Sequence, residues 1–187
     1  MKTRVPVVNQ IPVIRELARL TPRSGAFPRD YHLNIVLVYE DERTHRWSRE
    51  VLARVREVAG DQSVRSTCWN IADFKESGVL AGAVSMAMKA DIIVAAICET
   101  KKMRLPFYMW VESWLPNRVQ RVGALVALVG DCEENAGETG TVGSYLRAVA
   151  RKGHLDFLIE KRKLSVETAH QARTKTIRRS LAKIGSV

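Results

Sequence analysis

Acidic residues recur in this chain at the ends of apolar runs. Glu40, Asp41 and Glu42 follow one run, Glu99 follows a second, and Asp131 follows a third. Hard divalent cations prefer carboxylate oxygens, so Glu40, Asp41, Glu99 and Asp131 together form a candidate Mg2+ site. The same loops supply Thr44, Glu99, Thr100 and Gly130 as candidate pocket-lining residues for a bound cofactor. Cys68, Cys98 and Cys132 also fall near the ends of such runs, where Lys101, Lys102 or His45 could lower a thiol pKa and create a nucleophile. An odd count with no CxxC pair gives neither a disulfide framework nor a four-ligand zinc site. The cysteines are therefore expected to be buried small hydrophobes in a reducing compartment, and the location to be cytoplasmic. His32, His154 and His170 are scattered, and the chain has no GxSxG, HExxH or P-loop pattern.

The elements that must position these residues are short. Leu33 to Tyr39 (LNIVLVY), Asp91 to Ile97 (DIIVAAI) and Ala124 to Val129 (ALVALV) are continuous apolar runs of strand length, the pattern of strands covered on both faces. Val64 to Ile71 mixes polar and apolar residues as an edge strand does, and Leu155 to Ile159 reads as a short fifth strand. Between them, helical spacing relates Trp47, Val51, Val55, Val58 and Ala59; then Leu80, Ala83, Val84 and Ala87; then Phe107, Trp110, Val111, Trp114 and Leu115; then Val142, Tyr145, Leu146 and Val149. Gly78 and Gly82 weaken the second of these helices. The third opens at Pro106 and stops at Pro116, and its Trp110 and Trp114 are expected in the core. Strands alternating with helices predict an α/β fold, a three-layer doubly wound parallel sheet of five strands. The apolar first, third and fourth strands belong inside and the others at the edges, which gives the order 2-1-3-4-5.

The charge of +10 is unevenly spread. Residues 1–30 hold six Lys/Arg against two acids, residues 31–160 sixteen against seventeen, and residues 161–187 eight against one. Three segments follow: an irregular basic N-terminal segment at 1–30, an α/β domain at 31–160, and a basic C-terminal tail at 161–187. In the tail, Ser165 can cap a basic amphipathic helix carrying Val166, Ala169, Ile177, Leu181 and Ile184. Such a tail is a route to nucleic acid or an anionic surface, although docking on its own domain is the plainer expectation. Proteins and further copies of this chain are the other candidate partners. No stretch approaches the roughly 18 apolar residues of a membrane-spanning helix.

The run ADIIVAA, the loop after it, LPFYMWVESWL, GALVALVG and HLDFL form a layout that resembles the flavodoxin-like superfamily, particularly the NAD(P)H-dependent FMN reductases. The resemblance spans residues 33 to 160. It implies FMN bound at the carboxyl ends of the strands, with a Ser/Thr/Gly-rich loop after the first strand holding the phosphate. Here that loop is Glu40-Asp41-Glu42, and the flavin-ring loop after the third strand is Cys98-Glu99-Thr100-Lys101-Lys102. A triple-acid entrance is a poor phosphate cradle. The expectation is a non-catalytic binding or regulatory module, and the alternative is a divergent NAD(P)H/FMN-dependent oxidoreductase. Acids after the first strand also resemble receiver domains, but no Asp ends the third strand to accept a phosphoryl group.

Overall fold

A computed structural model describes residues 32–99, 103–118, 122–131 and 141–164. The basic N-terminal segment and the expected C-terminal helix lie outside the described residues. The chain forms β1 (Leu33–Tyr39), α1 (Glu42–Ala59), β2 (Val64–Asn70), α2 (Ser77–Lys89), β3 (Ile92–Cys98), α3 (Leu105–Trp114), β4 (Ala124–Asp131), α4 (Thr141–Lys152) and β5 (Asp156–Lys163). The five strands make one parallel sheet in the order β2-β1-β3-β4-β5, which is compatible with a flavodoxin-like fold. Every residue of β3 and all of β4 up to Gly130 are buried, whereas β2 at one edge alternates between covered and exposed positions. Strand polarity thus sorts the sheet: a strand without a neighbour on one side tolerates Arg65 and Cys68 facing water.

Helices cover both faces. Trp47, Val51, Leu52 and Val55 of α1 pack on Leu33, Ile35, Leu37, Val94 and Leu128 on one face. The other face takes Ala83 and Ala87 of α2, Phe107, Trp110 and Trp114 of α3, and Leu146 and Val149 of α4. Phe107, Trp110 and Trp114 are each about 1% exposed, so the aromatic stripe of α3 is core. Removing such large apolar side chains from water is the main stabilising term of this layer. Gly82 belongs in α2 despite its low helix propensity, because a Cβ there would meet the Trp69 ring at 3.1 Å. Among the described residues no helix is long and apolar enough to cross a membrane.

The fifth strand differs from expectation. It does not stop at Ile159 but runs through Lys161, Arg162 and Lys163, paired to Val129, Gly130 and Asp131. Its charged end is held by two ion pairs, Lys161 with Glu99 and Arg162 with Glu50, and the ladder closes with Leu164 N–H on the Asp131 carbonyl. Local polarity suggests a tail; pairing with β4, joined by partners for Lys161 and Arg162, makes it a strand.

At the amino edge, Asp91 and Arg118 fasten the layers. The Asn34 N–H donates to Asp91 Oδ2 at 2.8 Å and the Ala124 N–H to the Asp91 carbonyl at 2.9 Å, joining β1 and β4 across the start of β3. Arg118 is only 8% exposed, and its two Nη atoms donate to the Ala87 and Ala90 carbonyls, each at 2.8 Å. These carbonyls lie at the C-terminal end of α2, where Ala87 also takes a 3.4 Å bond from the Ala90 N–H. The approach is close: a Cβ on Gly123 would lie 2.7 Å from the Asp91 carbonyl oxygen. Arg118→Met is expected to destabilise the protein by about 1–3 kcal/mol in urea denaturation, because it removes two buried hydrogen bonds and leaves the Ala90 carbonyl without its guanidinium donor. A change below about 0.5 kcal/mol, the level of a surface substitution, would show that water replaces the guanidinium.

Candidate functional site

Ligands of doubly wound sheets bind beyond the carboxyl ends of the strands, where the order reverses, here between β1 and β3. In this chain that crevice is laced by its own side chains. The Glu40 carboxylate is 8% exposed; Oε2 accepts from the Cys98 N–H at 2.9 Å and Oε1 from Arg104 Nε at 2.7 Å. It therefore crosses from the end of β1 to the end of β3 and on to the start of α3. Asp41 turns into α1 as its N-cap, accepting from the Thr44 N–H at 2.9 Å, and Thr44 completes the capping box. The buried Thr44 hydroxyl accepts from the Glu40 and Asp41 N–H groups at 3.2 and 2.9 Å. Arg43 closes on Asp41 Oδ2 through Nε at 2.9 Å and Nη2 at 2.8 Å.

These contacts set the Asp41 charge. Partial burial alone would raise its carboxyl pKa, but the bonds from the Thr44 N–H, Arg43 and the Thr44 hydroxyl outweigh that and hold it below 3.8.

Farther along the edge, Glu99 is 7% exposed. Its N–H donates to the Gly130 carbonyl at 2.7 Å, tying β3 to β4, while Oε1 faces the Val142 N–H at 3.4 Å and Oε2 takes Lys161 Nζ at 3.2 Å. Asp131 stands exposed at the end of β4. Glu40, Asp41 and Glu99 are thus engaged by separate partners, and among the described residues no three His, Cys, Asp or Glu side chains are grouped to hold an ion. Of the pocket-lining candidates, Thr44 is consumed as a cap, Glu99 and Gly130 bond to each other, and Thr100 lies outside the described residues.

The cysteine expectation needs correction. Cys98 is disulfide-bonded, while Cys68 on the edge strand β2 is free and exposed; Cys132 lies outside the described residues. Cys98 is buried, as expected, but as half of a disulfide and not as a small hydrophobe. Its Sγ lies 3.9 Å from both Arg43 Nη2 and Asp41 Oδ2. His45, a candidate thiol activator, stacks instead on Tyr39 with ring centroids 4.1 Å apart. A disulfide removes the thiol-based argument for a reducing compartment.

A second feature went unread in the sequence. Arg43, Arg46 and Glu50 share one face of α1 at helical spacing, and Arg162, Lys163 and Leu164 leave the end of β5 opposite them. Between them is a groove of about 260 Å³, lined also by Trp47. The arginine spacing on α1 was the available signal, but Arg162 and Lys163 had been assigned to a tail.

No protein-family model matches the chain, and no curated protein matches it.

Two outcomes are expected from the edge geometry. The depressed Asp41 pKa contributes stability that is present above the unfolded carboxyl value and is lost as pH falls through the folded value, so the loss begins below about pH 4. Asp41→Asn should flatten that acid limb in urea titrations, and an unchanged limb would show that Asp41 is not linked to folding. In denaturant without reductant, an alkylating reagent should modify Cys68 and leave Cys98 untouched until a reductant is added, as read by peptide mass mapping. Early labelling of Cys98 would exclude the disulfide.

Proposed function

We propose that this chain is a non-catalytic binding or regulatory module, a flavodoxin-like scaffold whose cofactor crevice is closed by its own side chains. The observation that supports this most is the Glu40 carboxylate lying across the β1–β3 switch point, bonded to the Cys98 N–H and Arg104. A flavin phosphate is held by backbone N–H groups and cations at that edge. Here the Glu40, Asp41, Thr44 and Cys98 N–H groups already serve Thr44, Asp41 and Glu40.

Charge argues the same way. A phosphate about 5 Å from one of these carboxylates is opposed by about 3 kcal/mol per unit charge pair at an effective dielectric near 20. Arg43 and Arg104 offset the acids but are themselves engaged by them. Displacing either pair would strand a covered carboxylate.

The test is direct. Purified protein should carry no visible flavin absorbance, leave the fluorescence of added FMN unquenched, and show no rise in melting temperature with FMN, NADH, NADPH or Mg2+. Co-purifying flavin or tight FMN binding would overturn this reading in favour of the divergent oxidoreductase, and a Mg2+-dependent rise would revive the acidic metal site.

A further inference from the structure

We infer that the outer face of α3 is the contact between two copies of this chain, which meet with their α3 helices antiparallel. Helix α3 is apolar nearly all round. Phe107, Trp110, Val111 and Trp114 fill the core on its inner side, while Leu105, Tyr108 and Met109 stand 69%, 37% and 49% exposed on its outer side. A helix that is apolar all round is ordinarily covered all round, yet these three side chains are open to water. Charge is depleted in the same place. Lys89 and Glu112 are the charged residues of α2 and α3, whereas α1 on the opposite face of the sheet carries eight Arg and Glu residues. Few charges together with Tyr and Met is the composition of an interface core. Helix α2 packs beside α3 and adds Met86, 44% exposed.

The stripe is complementary to itself. Leu105, Tyr108, Met109 and Glu112 are spaced by three, one and three positions, intervals that read the same in both directions. A two-fold axis between Tyr108 and Met109 therefore sets Tyr108 against the partner's Met109, and Leu105 against the partner's Glu112. The charges agree with this register. Glu112 arrives at the first turn of the partner's α3, where the helix N-terminus has no side-chain cap and carries the positive end of the helix dipole. Arg104, the residue before that turn, gives Nε to Glu40, but its side chain is 57% exposed and a guanidinium has further donors for a second carboxylate. The attraction thus needs no net positive charge there, only unused donors and the dipole.

A bilayer suits the stripe less well, because amphipathic helices approach lipid with Lys and Arg beside their apolar residues, and this stripe ends on Glu112. The surface is also formed before a partner arrives. Tyr108 is braced edge-on against Tyr145 of α4, with ring centroids 4.8 Å apart, which lowers the ordering cost of docking. Four exposed apolar side chains make a small contact, so the dimer is expected to be reversible. The contact does not involve flavin, so it stands or falls independently of the flavin test.

Sedimentation equilibrium of the full chain, at protein concentrations from about 1 to about 300 μM, tests the inference. The average mass is expected to rise with concentration from 21.0 kDa towards twice that value. Met109→Glu, at an exposed position whose replacement leaves the core untouched, should weaken association at least about tenfold. Leu105→Glu should do the same by setting acid against acid, and adding Glu112→Lys to it should restore association, a gain that misfolding cannot produce. A chain that stays at 21.0 kDa throughout overturns the inference. So do dimers that persist in Met109→Glu, or that the double variant fails to restore. A dimer seen on non-reducing gels and lost in Cys68→Ser overturns it in favour of a disulfide between exposed cysteines. Binding to phosphatidylcholine vesicles that Met109→Glu abolishes, without self-association, overturns it in favour of a membrane surface.

Discussion

A parallel sheet ends on its carboxyl side in backbone donors and acceptors that no further strand answers, and something must answer them. In cofactor-binding proteins of this architecture the ligand shares that task. Among the described residues here, the chain's own side chains take it up. Glu40 serves the end of β3, Thr44 serves the turn after β1, and Asp41 serves the first turn of α1. Glu99 completes the set by receiving Lys161 from the outermost strand. Of the acids that look like a metal site in the sequence, Glu40, Asp41 and Glu99 are thus bonded to cations and N–H groups of the chain. The burial of Glu40 and Glu99 is tolerable because each is paired.

The two edges of the sheet are organised by the same rule with opposite emphasis. At the amino edge the carbonyls at the end of α2 are served by one buried guanidinium, Arg118. At the carboxyl edge N–H groups are served by carboxylates. Among the described residues, both solutions are made by the chain's own side chains.

The fold was legible in the sequence wherever burial dictates residue type. The runs LNIVLVY, DIIVAAI and ALVALV announce doubly covered strands, and the Trp110–Trp114 stripe announces a core helix, because a residue enclosed on all sides has few alternatives. The end of β5 was not legible. Lys161, Arg162 and Lys163 are strand residues because their backbone pairs with Val129, Gly130 and Asp131, and two of the three cations find carboxylates, Glu99 and Glu50, more than sixty and a hundred positions away. Side-chain roles at the candidate site were hidden for the same reason. Glu40 and Asp41 read as ligands, but whether a carboxylate faces a cation from outside or an N–H from within depends on three-dimensional neighbours. The disulfide of Cys98 was likewise invisible to a count of three cysteines.

The connectivity of the sheet also bears on how the chain reaches this structure. All four strand pairs are parallel, and no two consecutive strands can meet until an intervening segment of a dozen or more residues has folded back. The order places β1 between β2 and β3, so the sheet's centre cannot be completed before residues some sixty positions apart have met. Loop closure must therefore precede the contacts that compensate it, which makes for slow refolding. During that interval the three most apolar strands are exposed together, and dilution, more than temperature, becomes the variable that decides between native protein and precipitate.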